Sequence, residues 1–178
     1  MPTTRTLILA WGNPARGDDG LGPAIAGLVD ALAIPEVTVH SDYQLQIEDA
    51  ETIARHDRVI FVDADRTGTE PFSCRRLTPS THGLSFTSHS VSPGALLELT
   101  RRLFERAPEA WLIGIRSYDF DQFEEKLSAG ARTNLEAAAD FMRRALTDGE
   151  LAEVRAATSG PIARRDESNA AEAAEVAT

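Results

Sequence analysis

The 178-residue chain contains one cysteine, Cys74, so no internal disulfide can form and no cysteine-rich zinc pattern exists. Cys74 lies in Phe72-Ser73-Cys74-Arg75-Arg76-Leu77, which reads as a strand. A buried, inert thiol is therefore expected there, rather than a nucleophile. Basic charge is also scarce. Lysine and arginine number 18 against 28 acids, a formal net charge of −10. That balance argues against a nucleic-acid binder, which would need a basic face to meet phosphates. No apolar run is long enough to span a membrane, and no charged n-region with a cleavage site is present, so a cytoplasmic chain with no membrane partner is expected. Internal repeats are missing. So are three compact catalytic signatures. There is no Gly-x-Ser-x-Gly elbow to present a serine, which weakens a Ser-His-Asp reading of Ser88-His89-Ser90. There is no His-Glu-x-x-His. Gly12-Asn13-Pro14-Ala15-Arg16-Gly17 is not Gly-x-Gly-x-x-Gly, and the acids after it would repel a pyrophosphate.

Apolar residues make up 42% of the chain, enough at this length for one domain with a real core. Three runs, 7–11, 58–62 and 110–115, are nearly continuous in apolar residues and too short for helices that cross a membrane. They read as parallel strands buried on both faces. The alternating segment Val37-Thr38-Val39-His40 is a further strand, and 72–77, introduced by Gly68 and Pro71, is expected at the sheet edge. Helix-period stripes fall between them: Leu21, Ile25, Leu28 and Leu32, a short helix near 47–55, then Ala95, Leu96, Leu99 and Leu103, then Ala131, Leu135, Ala138, Met142 and Leu146. Ser92 with Pro93 behind it, and Ser128, are placed to cap the last two helices, and Asp148-Gly149 to stop the final one. The alternation predicts an α/β fold: a three-layer α/β/α sandwich on a mainly parallel, roughly five-stranded sheet with one antiparallel edge strand. Residues 1–149 form that single domain. From 150 to 178 the chain is rich in alanine and charge, with six acids against three arginines, and is expected to be disordered.

Acids gather where strands end. Asp18-Asp19 follow the first strand, Asp63 and Asp65 follow the third, and His89 precedes a helix. Each has a structural reading, since aspartate caps helices and turns and a loop histidine is ordinary. The functional reading has one of the first two acids capping the helix while the other points across the sheet. On parallel strands all three groups approach the same sheet edge, where open α/β sheets bind ligands. Two carboxylates and an imidazole would suit a divalent metal with open positions. The polar stretch 116–127 reads as a long loop, and such loops in compact domains are often functional.

These residues resemble a known family. Gly12-Asn13-Pro14-Ala15-Arg16-Gly17-Asp18-Asp19-Gly20-Leu21-Gly22 is similar to the N-terminal signature of the [NiFe]-hydrogenase maturation endopeptidases. Val59-Ile60-Phe61-Val62-Asp63-Ala64 resembles their second acidic motif, and Ser88-His89-Ser90-Val91-Ser92-Pro93 their histidine motif. The Gly-rich turn that some members carry after the second strand is replaced here by Asp42-Tyr43-Gln44-Leu45. The resemblance spans about residues 5–146 and leaves out the tail. It implies a phosphorylase/hydrolase-like fold and removal of the C-terminal extension from a hydrogenase large-subunit precursor after nickel insertion. By position it makes Asp19, Asp63 and His89 both the catalytic and the metal-binding residues, with Asp18 as structural neighbour or cap. The Ni2+ would come with the precursor, the one partner implied, and the peptidase would be a monomer. A non-catalytic assembly module, or a hydrolase of small substrates on a similar sheet, are the alternatives to this reading.

Overall fold

The computed structural model describes residues 4–81, 91–121 and 123–154. A five-stranded sheet has the order β2-β1-β3-β5-β4, with β1 (Thr6–Trp11), β2 (Val37–Asp42), β3 (Arg58–Asp65) and β5 (Glu109–Arg116) parallel and β4 (Phe72–Arg76) antiparallel at one edge. This is the expected α/β arrangement. The apolar runs form the three central strands because both of their faces must be covered. On one face Ile8, Ile60, Val62, Trp111, Ile113 and Ile115 pack with α1 (Leu21–Asp30) and α4 (Ala129–Asp148). On the other, Leu7, Leu9, Val59 and Phe61 pack with α2 (Asp49–Ala54) and α3 (Pro93–Phe104). Truncating Phe61, which is fully buried, to alanine would cost about 3–5 kcal/mol.

The caps read from sequence are present at three helix ends. Ser92 Oγ accepts the Ala95 N–H, Ser128 Oγ accepts the Ala131 N–H, and Gly149 closes α4 in the left-handed region. Two details differ. The α1 stripe buries Leu21, Ile25 and Val29, while Leu28 and Leu32 are 47% and 41% exposed. The helix stops at Asp30, so Leu32 lies beyond it, and the i, i+4, i+8 row passes through Val29 rather than Leu28. Similarly Leu103, expected on the inner stripe of α3, is 64% exposed. The chain remains attached to the domain after α4: the Cys74 N–H donates to the Val154 carbonyl and the Val154 N–H to that of Cys74. Residues 155–178 lie outside the described set, as does His89.

The strand order fixes where a site can form. The chain leaves β1 for β2 on one side and returns to β3 on the other. The helices after β1 and β2 accordingly cover opposite faces. The carboxyl ends of β1 and β3 therefore form the switch point, where open α/β sheets hold ligands.

Candidate active site

The turn after β1 is built by tight packing. Gly12 has φ +141°, and a Cβ there would lie 2.0 Å from the Asp19 carbonyl oxygen. A Cβ on Gly22 would lie 2.1 Å from the Trp11 carbonyl oxygen, so α1 can approach the strand end only with glycine at that position. Asn13 Oδ1 accepts the Ala15 N–H at 2.9 Å, a local turn that aspartate and asparagine favour. Asp18 and Asp19 then occupy a 3-10 turn, Gly17–Gly20, ahead of α1.

Neither acid caps α1, contrary to the sequence expectation. The residue in the cap position is Gly20, with no side-chain bond. Asp18 does something else. It is fully buried, and its carboxylate accepts four hydrogen bonds: from the Tyr118, Asp119 and Ser128 N–H groups at 2.8, 2.9 and 2.7 Å, and from Ser128 Oγ at 2.9 Å. Its own N–H donates to the Asp119 carbonyl, and the Gly17 N–H to that of Glu124. Burial alone would raise the Asp18 carboxyl, but the bonds from Asp119, Ser128 and Tyr118 outweigh it and hold the group below its usual value. Asp18 thus fastens the 117–128 loop onto the turn that carries Asp19. Sequence reasoning missed this role, because the donors lie a hundred or more positions away along the chain.

Asp19 remains partly exposed, and its Oδ2 accepts the Asn13 N–H at 3.0 Å. Asp63 lies near the carboxyl end of β3, which runs on through Asp65 rather than closing at Val62 as the apolar run suggested. Strand alternation puts Asp63 on the Phe61 side of the sheet, which α2 and α3 cover. That is also the side of Trp11, whose ring meets Phe61 edge-on with centroids 6.4 Å apart. Asp63 Oδ1 accepts the Ala64 N–H at 2.8 Å. Burial pushes its carboxyl up to about 7, against the pull of that bond, and the like charges of Asp19 and Asp65 push the same way. The two acids, 44 positions apart in sequence, therefore feel one another at one sheet edge. Asp65 is taken up by its own turn: Oδ1 accepts the Thr67 and Gly68 N–H groups at 3.0 and 2.7 Å.

The rim is tied together. The Ser117 N–H donates to the Asp65 carbonyl, Tyr118 OH donates to Glu70 at 2.5 Å, and the Arg66 guanidinium lies 4.0 Å from the Phe120 ring centre. Beside the acids a polar cleft opens over the ends of β1 and β2, lined in part by Trp11, His40, Asp42, Gln44 and Asp49. Among the described residues no cluster of three metal-binding side chains occurs, and no ion pair reaches Asp18, Asp19, Asp63 or Asp65. Cys74 is buried, which raises its thiol to about 12 and leaves it protonated at neutral pH.

No family model and no curated protein sequence matches the chain. Solved structures do. A [NiFe] hydrogenase maturation protease, HycI from Thermococcus kodakarensis KOD1, is similar with a TM-score of 0.63 and 25% identity, over 81% of this chain and 93% of that one. This chain shares its fold with the [NiFe] hydrogenase maturation proteases. The endopeptidase HycI from Escherichia coli superimposes with a TM-score of 0.63 at 22% identity, over 88% of this chain and 99% of that one. The hydrogenase maturating endopeptidase HybD from E. coli gives 0.61 at 19%, over 84% and 96%. The family resembled in sequence and the family matched in space are the same. Among the described residues no helix is long and apolar enough to cross a membrane.

Proposed function

We propose that this chain is an endopeptidase that removes the C-terminal extension of a [NiFe]-hydrogenase large-subunit precursor once its nickel is in place. The observation that supports the reading is the like-charge influence of Asp19 on Asp63 at the carboxyl ends of β1 and β3 in a maturation-protease fold, without a cationic partner among the described residues. Two carboxylates that lack cations attract a positive charge, and here the client brings it. Asp19, Asp63 and His89 would complete the coordination of the precursor's nickel, a borderline ion suited to mixed oxygen and nitrogen donors. His89 enters by sequence resemblance; Val91, two positions on, packs against the same cluster as Phe61.

Anchoring the ion fixes the adjoining peptide of the client over the sheet edge. Water then adds to the scissile carbonyl, the C–N bond breaks, and the new amine takes up a proton. The ion supports this step either by polarising the carbonyl or by lowering the pKa of a bound water. Neither route needs a serine or cysteine nucleophile, and Cys74 is too deeply buried to act as one. Co-incubation with a nickel-loaded precursor, followed by intact-mass measurement, tests the reading. Loss of a C-terminal fragment is the expected result. A stable complex with both masses unchanged would make the chain a binding module instead.

A further inference from the structure

The strand beside the site has an open edge. Among the described residues β2 pairs only with β1, and its other side has no neighbouring strand. The register settles which groups face outward. The Thr6 N–H donates to the Glu36 carbonyl and the Gly12 N–H to that of Asp42, so in this parallel ladder Thr38 and His40 present both backbone groups to β1. Val37, Val39 and Ser41 point away from it. The Val37 N–H is used by the Ile34 carbonyl. The N–H and carbonyl groups of Val39 and Ser41 have no hydrogen-bond partner among the described residues. Exposed edges are usually blunted by lysine, proline or a bulge, and Val37-Thr38-Val39-His40-Ser41-Asp42 has none of these.

This edge leads to the acids. Asp42 ends β2 and holds the Gly12 N–H, and Gly12 lies directly against the Asp19 backbone. His40, Ser41 and Asp42 also line the cleft beside the site. We infer that β2 binds an extended segment of the polypeptide substrate as an added strand, through the outward backbone groups of Val39 and Ser41. The inference rests on the proposed peptidase function and specifies how the client chain is held. Main-chain pairing of this kind supplies affinity with little dependence on side-chain identity. The continuity of the edge with the cleft favours a substrate segment over a second copy of this chain. The edge offers only two complete donor–acceptor residues, too few to carry a dimer interface of standard size without flanking surface.

Val39→Pro and Ser41→Pro test this, because each removes an outward N–H while leaving the ladder to β1 intact, a placement proline tolerates on edge strands. Each variant is expected to keep the wild-type melting temperature within a few degrees and to lose about tenfold in kcat/KM on the nickel-loaded precursor. Undiminished cleavage by both folded variants would overturn the inference. Should either variant fail to fold, amide exchange in the wild-type chain decides. The Val39 and Ser41 amides are expected to exchange at least about tenfold more slowly when the precursor is added. Unchanged exchange in the presence of bound precursor would overturn the inference. So would a wild-type dimer in size-exclusion chromatography that Ser41→Pro converts to monomer, since the edge would then serve a second copy. A wild-type chain that leaves the precursor uncut defeats the peptidase reading by itself, and the exchange measurement still reports whether the edge is covered.

Discussion

Asp57 precedes β3 and Asp63 lies near its carboxyl end, and their carboxyls are driven in opposite directions. At the amino end Asp57 pairs with Arg5 at 3.0 Å, with Arg106 at 3.5 Å as a second cation, and the hydrogen bonds from Arg5 hold its carboxyl at about 2. The same sheet edge carries Glu109 between Arg58 and Arg76. At the carboxyl end Asp63 meets burial and like charge, and it stands at about 7. Four aspartates gather there with backbone N–H groups as donors and no ion pair among the described residues. Acids whose charge is neutralised within the chain serve the fold. Acids left for an external cation are the candidates for function, at a cost to the fold.

Substitutions at the two ends should separate these roles. The largest effect is expected from Asp19→Asn or Asp63→Asn, each lowering precursor processing by at least about 10²–10³-fold while circular dichroism stays native. Processing that survives both would move the chemistry elsewhere. Next is Asp18→Ala, which strands four donors around a buried hole and should lower the unfolding free energy by about 3–5 kcal/mol in urea titrations. Asp65→Ala, whose donors lie within three residues, should cost only about 1–2 kcal/mol. Equal losses would mean that Asp18 does not fasten the 117–128 loop.

The pH dependence should differ in sign between the two ends. Folding raises the Asp63 carboxyl, so between about pH 4 and 7 the folded chain keeps a proton that the unfolded chain has released. Its contribution to stability is therefore present below the usual carboxylate value and declines as pH rises through that window. Asp63→Asn removes the decline and should stabilise the free protein by about 1–3 kcal/mol at pH 8, even as it abolishes processing. Folding lowers the Asp57 carboxyl, so its contribution is present above the usual carboxylate value and is lost as pH falls toward about 2. That pair is half-exposed and screened, and Asp57→Asn should cost under about 1 kcal/mol at neutral pH with processing unchanged. A flat profile in Asp63→Asn alongside a flat wild-type profile would remove the contrast.

Much of this was legible in the chain. The runs that became β1, β3 and β5 announced buried parallel strands because they are short, bounded by turn residues and rich in Val, Ile and aromatic side chains. Ser92, Ser128 and Gly149 announced helix ends because their capping groups act within three or four residues. The acid pairs showed as doublets at strand ends. The division of labour inside each doublet did not show. Asp65 could have been read from the Thr67-Gly68 turn beside it, but Asp18 is specified by Tyr118, Asp119 and Ser128, which only the fold brings near. Leu32 misled because the spacing of a stripe does not say where its helix stops, and Leu28 because the buried i, i+4, i+8 row runs through Val29 instead.

The sharpest measurement compares two preparations of one precursor, loaded with nickel and free of it, each incubated with the wild-type chain and weighed intact. The loaded form alone should lose its C-terminal extension if, as proposed, Asp19 and Asp63 take their cation from the client. Equal trimming of both preparations would contradict that dependence.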